Sequence, residues 1–456
     1  MSFKTSKLSN GLRVIMNKNN NNTTATIIAM VNVGSNWEIP EINGVAHYLE
    51  HLFFKGTKKR PSQRIIALEL EKYGAISNAF TSREMTCYHI KVNYEHLEKI
   101  IEILGDILQN SLYKKSELDT EKKVILNEIN QRMSTPTYCL DREFYKCFFK
   151  NLPNAKSVSG TLETVSNITR DMIFAFLYRF YRPENMIISV AGNFKSYNYL
   201  MSLLEKHLNN LYHHNYQLSS KTFKTTLEKL NNYYDQWQII YNLHSNMFIN
   251  PNEIILNNHI IPKMDLKHSF IVIGFNGCNY EDENKIKNQL ISTILGGSMS
   301  SRLFNVVRDK YGLVYSINSS HTSNNNNGIF TIQYSCNHDK KIQIEILKLI
   351  KKEIELIKTE LISRKDLENT LSNLRNKAII SQEDSYDNAL YYGVQLLKYT
   401  NIKSIKNYDD MFNLFKKITL EDLKEQANIV FDWNKCSISS LSPIKIDDKE
   451  FQDIFF

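Results

Sequence analysis

The stretch Gly44-Val45-Ala46-His47-Tyr48-Leu49-Glu50-His51-Leu52-Phe53-Phe54-Lys55-Gly56-Thr57 decides how the chain reads. On a helix, residues four apart sit one turn up the same face, about 5.4 Å along the axis. His47 and His51 can therefore converge on one ion. Glu50 lies on that face too, within reach of a water held there. The order His-x-x-Glu-His inverts the commoner His-Glu-x-x-His and offers the same groups, two imidazoles as ligands and a carboxylate as base.

A catalytic zinc usually takes three protein ligands and keeps a fourth position open, so a further donor is required. Glu121-Lys-Lys-Val-Ile-Leu-Asn-Glu128 supplies two candidates, Glu121 and Glu128, two turns apart on a helical face that is expected to hold Val124 and Ile125 as well. Carboxylates on an apolar stripe are costly to bury unpaired, and a metal or a histidine partner removes that cost. On these residues alone, the histidines also read as a satisfied polar patch and the glutamates as a solvated helix face.

Around these segments the chain is ordinary. It has 456 residues, 42% hydrophobic and 23% charged, enough for a large core and two or three domains. Asn, Lys, Ile and Tyr are plentiful while Gly, Ala and Pro are scarce, which reflects AT-rich coding of the kind met in parasites, endosymbionts and large DNA viruses. The net charge of +8 is spread without a Lys/Arg run, so no nucleic-acid partner is expected. Cys87, Cys139, Cys147, Cys278, Cys336 and Cys436 form no Cys-x-x-Cys pair and read as reduced thiols. No apolar run reaches the ~18 residues needed to span a membrane. Met1 leads directly into a strand-like segment with no h-region, and a cytoplasmic address is expected.

Alternation and turn residues predict strands at Leu12–Val14, Thr26–Val33, Thr86–Val92 and from Met186. Helical periods are predicted from Gly44 to Phe54, from Pro61 to about Tyr73, and over 95–110 and 116–133. Thr169 reads as an N-cap ahead of the strand at Met186, and Thr419 stands in the same relation to Cys436-Ser-Ile-Ser-Ser-Leu441. That internal repeat predicts two similar domains, 1–210 and 263–456. The Asn-, Tyr- and His-rich stretch 211–262 carries no clean period and is expected as a linker or insertion.

Taken together, these residues resemble the pitrilysin/insulinase family of metallopeptidases. Within it the chain is similar to the shorter members, the bacterial and rickettsial processing proteases and the catalytic β subunit of the mitochondrial processing peptidase. His47-Tyr-Leu-Glu50-His51 with Phe54-Lys-Gly-Thr57 resembles the family's zinc helix. Glu128 falls where the family places its third ligand, and Glu121 matches a second functional carboxylate. Asn78-Ala79-Phe80-Thr81-Ser82 resembles the edge strand that pairs with substrate. Leu295-Gly-Gly-Ser-Met-Ser-Ser-Arg-Leu-Phe304 and Arg308-Asp-Lys-Tyr-Gly-Leu-Val-Tyr315 resemble the second-domain signature.

The resemblance implies an α+β fold of two homologous domains, each an antiparallel-rich sheet covered by helices, together half of a peptidase clamshell. It implies one zinc per chain on His47, His51 and Glu128, with Glu50 as general base and Glu121 in a supporting role. Asn78, Ala79, Phe80 and Thr81 would bind the substrate backbone, while Arg308 and Tyr315 would anchor the peptide or steady the oxyanion. The implied function is a zinc metalloendopeptidase acting on extended peptides or unfolded segments inside a closed chamber. The implied partner is a second copy, or a related subunit in a heterodimer. A non-catalytic or partner-dependent subunit of a processing or assembly complex is the rival reading. Non-catalytic members have typically lost the His-x-x-Glu-His set that this chain keeps. Two departures stand out: 211–262 is longer than the branch leads one to expect, and the Gly296-Gly297 loop is short, as in catalytic subunits.

Overall fold

Apolar strands from distant parts of the sequence build the first sheet. β1 (Phe3–Lys7), β2 (Arg13–Lys18), β3 (Thr24–Val31), β4 (Ile76–Thr81), β5 (Thr86–Asn93) and β6 (Met186–Gly192) lie in the order β1-β2-β6-β3-β5-β4. β2 and β6 run parallel and the other neighbours antiparallel. β6 is buried along its whole length and β3 beyond its first residue, as befits central strands covered on both faces. In the second sheet, β7 (Ile255–His259), β8 (Ser269–Gly277), β9 (Ser316–Ser323), β10 (Gly328–Cys336) and β11 (Ser437–Leu441) lie in the order β7-β11-β8-β10-β9. Here β7 and β11 are the parallel pair. With β1 set aside, the two orders match strand for strand.

This is a computed structural model, and it describes residues 3–211, 220–243, 255–259 and 266–456. The predicted repeat is a repeat of topology, since β6 and β11 hold equivalent places. The caps ahead of them match as well. Thr169 Oγ1 accepts from Met172 N at 3.4 Å and Thr419 Oγ1 from Asp422 N at 3.1 Å. The predicted helices are present as α1 (Val45–Phe53), α2 (Gln63–Lys72), α3 (Leu97–Asn110) and α4 (Lys115–Met133). No helix among the described residues is long and apolar enough to cross a membrane.

Two features differ from the sequence reading. First, the compact units are not contiguous. One comprises Met1–Ile129, Lys156–Ile239 and Lys377–Tyr408, and the other Asn130–Ala155, Ile240–Asn376 and Asp409–Phe456. Each sheet thus takes one covering helix from the opposite half of the sequence. In the first unit the helix Ser385–Lys398 lies on a face formed by Ile15, Ile28, Met30, Cys87 and Ile187. Ser189 Oγ donates to the Ala389 carbonyl at 2.6 Å, and the Thr26 and Ser385 hydroxyls meet at 2.8 Å. In the second unit α5 (Pro136–Phe149) packs Phe144 and Phe148 with Val272, Ile329 and Leu441. Second, 211–262 holds a long helix, Lys221–Leu243, and the strand β7, where a linker or insertion is expected. Phe223, Thr226 and Leu230 are buried one turn apart along that helix, so it packs as a structural element. Residues 212–219, 244–254 and 260–265 lie outside the described residues.

Close approach of α5 to the second sheet depends on Gly274, where an added Cβ would lie 2.4 Å from Phe144 Cζ. Gly274→Ala should lower the unfolding free energy by about 1–3 kcal/mol through overpacking. Phe144→Leu added to that variant should recover part of the loss. Urea unfolding midpoints check both, and an unchanged midpoint for Gly274→Ala contradicts the packing account.

Candidate metal centre

The helix α1 is anchored before any ligand is considered. Its N-cap, Gly44, adopts φ 100°, and a Cβ there would lie 2.8 Å from the Ser159 carbonyl oxygen. The helix's free N–H groups are met by a remote carboxylate. Glu38 Oε2 accepts from Gly44 N at 2.8 Å and Asn43 Nδ2 at 2.7 Å, and Oε1 accepts from Ala46 N at 2.8 Å. An anion at a helix N-terminus also opposes the helix dipole favourably. Burial pushes the Glu38 carboxyl above its ordinary range, against these hydrogen bonds and the pull of Lys156. Burial lowers Lys156 to about 7, against the attraction of Glu38. The Lys156 ammonium donates to the Glu38 carbonyl, to the Asn36 carbonyl at 3.1 Å and to Tyr233 Oη at 2.7 Å.

α1 is also tied to α4. The buried Tyr48 hydroxyl donates to the Leu118 carbonyl, and Lys122 Nζ donates to the Ser166 and Ile168 carbonyls at 2.9 and 2.8 Å. The buried face of α4 runs through Leu118, Glu121, Ile125 and Ile129. Val124, expected on that face, is 44% exposed, because the stripe turns away from it at the i+4 position, Ile125.

This crossing brings the predicted ligands together. Glu128 Oε2 lies 3.7 Å from His47 Nε2 and 3.5 Å from His51 Nε2, and the three donors fall within 4.8 Å of one another. Bonds of about 2.0–2.2 Å in a tetrahedral zinc site imply donor separations of about 3.3–3.6 Å, so the two Glu128 separations lie at or just above that range, and a set of two imidazoles and one carboxylate suits zinc. Glu121 Oε2 lies 3.2 Å from His51 Nδ1, the nitrogen turned away from Glu128, and a hydrogen bond there leaves the Nε2 lone pair for an ion. Burial depresses the His51 pKa, but Glu121, Glu128 and the charge of Glu50 outweigh it and lift the imidazole to about 9. For Glu121, burial acts upward and is outweighed by hydrogen bonds from His51 and Lys55, so the carboxyl lies below its ordinary value.

Glu50 stands beside the donor group without belonging to it. Its Oε2 accepts from Thr81 Oγ1 at 2.8 Å, which fixes the carboxylate against β4. β4 is the edge of its sheet, and Ile76, Ser77 and Asn78 are exposed. Ala79 N is taken by Asn78 Oδ1 at 2.8 Å. A cavity of about 290 Å³ opens between β4 and α2, lined by Glu50, His51, Phe54, Ile66, Leu70 and Ala79 among others. Phe80 differs from its neighbours, since its ring packs into the cluster beneath Ser385–Lys398 and only its backbone belongs to the edge.

Arg308 and Tyr315 belong to the second unit and meet each other there. Phe304–Lys310 forms a seven-residue π-helix, and the Arg308 guanidinium lies over the Phe304 and Tyr315 rings at 4.5 and 5.5 Å. Tyr315 is 83% exposed. The helix Lys285–Gly296, which precedes β9 as α1 precedes β4, carries buried Asn288 and Ser292 four residues apart. Among the described residues, His47, His51 and Glu128 are the one group of this kind that could hold a metal.

A protein of Rickettsia felis named an uncharacterized zinc protease is 31% identical over 434 residues, 94% of this chain and 95% of that one. This chain belongs to the insulinase family, peptidase family M16. The family model described as Insulinase (Peptidase family M16) matches residues 13–162, and Peptidase M16 inactive domain matches 167–374. The mitochondrial-processing peptidase subunit beta of Dictyostelium discoideum is 36% identical over 189 residues, 41% of this chain and 40% of that one. A protease from Helicobacter pylori shares the fold at a TM-score of 0.82 and 22% identity, over 97% of this chain and 99% of that one.

The sequence reading of this M16 chain passed over Glu38, Lys55 and the hydroxyl of Thr81. Lys55 and Thr81 stand in the motifs already quoted, whereas Glu38 is a lone acid whose partners lie in other segments. Glu38→Ala leaves N–H groups of α1 unsatisfied and the half-buried Lys156 without its counter-charge. It should cost about 3–5 kcal/mol in denaturant unfolding, with part recovered by Lys156→Met. An unchanged midpoint contradicts the capping role.

Proposed function

We propose that this insulinase-family chain is a zinc metalloendopeptidase that cleaves extended peptides or unfolded protein segments. The observation that carries the proposal is the meeting of His47, His51 and Glu128 within 4.8 Å of one another, with Glu50 beside them and fixed by Thr81. One zinc per chain would be held by His47 Nε2, His51 Nε2 and a Glu128 oxygen. When bound, zinc supplies Lewis acidity toward water and toward a peptide carbonyl. Glu50 takes the proton of the attacking water and passes it to the leaving amine. Glu121 keeps His51 in the tautomer whose Nε2 lone pair is free.

The open edge of β4 supports β-augmentation by an extended substrate, with Asn78, Ala79, Phe80 and Thr81 acting through the backbone. Such pairing tolerates many sequences, so selection falls on extended conformation. Arg308 and Tyr315 hold the peptide or steady the oxyanion. They belong to a different unit from the ligands, and we assign them to the active site of a second copy in a closed homodimer. The exposed Tyr315 ring supports this. Pairing with a related subunit in a processing complex is the second reading, favoured by the relative named a subunit. A cytoplasmic location is supported by six free cysteines, five of them buried.

Base and anchor can be separated in one experiment. Glu50→Gln should keep its zinc and lose about 10²–10⁴-fold in hydrolysis of a quenched peptide. Arg308→Ala should also be nearly inactive. Mixing the two should form heterodimers in which one site has both groups intact, recovering up to about half the wild-type activity per heterodimer. An active Glu50→Gln chain removes Glu50 from the mechanism. Subunit exchange shown by a label, with activity left at the parental level, overturns the assignment of Arg308 to the partner's site.

A further inference from the structure

The exit of α1 carries a cation that the catalytic reading leaves unused. Lys55 follows the helix by two residues, and its ammonium lies 2.5 Å from Glu121 Oε1 and 2.8 Å from Gln63 Oε1. Its side chain keeps 15% of its accessible surface. Ordering a lysine costs side-chain entropy that an exposed ion pair barely recovers, so a partly buried lysine between two acceptors calls for an explanation.

The explanation lies in the other oxygen of the same carboxylate, since Glu121 Oε2 is the atom 3.2 Å from His51 Nδ1. The terminal torsion of a glutamate is broad and nearly two-fold, so the carboxylate alone does not choose which way its oxygens point. An ammonium fixed on Oε1 settles that choice and leaves Oε2 facing the imidazole.

Lys55 is itself fixed by the turn that ends α1. Gly56 adopts φ 140°, and a Cβ there would lie 2.9 Å from the Pro61 carbonyl carbon and oxygen. Leu112 N donates to the Gly56 carbonyl at 3.0 Å, and Thr57 Oγ1 donates to Asp106 at 2.6 Å. Gln63, at the start of α2, accepts from the same ammonium. The charge balance points the same way, since Glu50, Glu121 and Glu128 crowd two imidazoles and Lys55 is the cation in contact with one of them.

We infer that Lys55 is a positioning residue of the metal centre. By fixing Glu121 Oε1 it aims Oε2 at His51 Nδ1, which sets the direction of His51 Nε2. The inference rests on the reading of His47, His51 and Glu128 as metal ligands.

The test is Zn²⁺ affinity of the full chain, read by competition with a chromophoric chelator. The set is wild type, Lys55→Met, Lys55→Gln, Lys55→Arg, Glu121→Gln and the double variant Lys55→Met/Glu121→Gln. Lys55→Met should weaken binding by roughly 10–100-fold, as loss of an outer partner of a ligand histidine does, and Lys55→Arg should restore much of it. In the Glu121→Gln background, Lys55→Met should cost almost nothing further, because the path from Lys55 to His51 is already cut. Melting of the metal-free chains verifies folding, and Lys55→Gln replaces Lys55→Met if the latter does not fold. Wild-type affinity in the folded Lys55 variant, or an equal loss in both backgrounds, overturns the inference while leaving the ligands in place. A wild-type chain that binds no zinc overturns the ligand reading and this inference with it.

Discussion

Glu50, Glu121 and Glu128 converge on two imidazoles at one face of α1, and the surrounding structure is organised to make that concentration of negative charge tolerable. Each carboxylate has a donor. Glu50 takes the Thr81 hydroxyl, Glu121 takes Lys55 and His51, and Glu128 lies against both histidines. A carboxylate withdrawn from water without such partners costs far more than a hydrogen bond returns. The field that lifts His51 to about 9 is also a field that attracts a divalent cation to the same three donors.

Position follows from the same economy of partners. Two histidines one turn apart would need a third donor from elsewhere, and the Tyr48–Leu118 hydrogen bond together with the Lys122 contacts holds α4 where Glu128 lies beside both. The helix dipole of α1 is met by Glu38 at one end, and the Phe54-Lys-Gly-Thr57 turn directs Lys55 at the other. Glu50 is tied to β4 by Thr81, so the proposed base and the proposed substrate edge are joined by a single hydrogen bond. The proposed ligands and base therefore sit on regular elements with their side chains held by neighbours, as catalysis at a metal would require.

Much of this was legible in the sequence because it is local. The four-residue spacing of His47 and His51 dictates a shared helical face, and the repeat of Thr169 and Met186 in Thr419 and Cys436 marks two equivalent strand positions, β6 and β11. What escaped depends on packing between distant segments. Nothing within Pro136–Phe149 or Ser385–Lys398 says which sheet each will cover, since any amphipathic helix offers an apolar stripe. Glu38 has no local signature, because its partners are backbone N–H groups that only the folded chain brings near. The helix Lys221–Leu243 was missed for a different reason. Its abundant Asn and Tyr suggested a linker, although Phe223, Thr226 and Leu230 already carried a helical period. Composition outweighed periodicity there, and periodicity was the better guide.

The central claim is that His47, His51 and Glu128 hold one zinc ion. X-ray absorption at the zinc edge, on protein purified without added metal or chelator and quantified for zinc per chain, tests it directly. The account predicts one zinc per chain, with two imidazole nitrogens and carboxylate or water oxygen at about 2.0–2.2 Å and no sulfur. A chain that carries no zinc and takes up none, or a shell containing sulfur or a third imidazole, would contradict it.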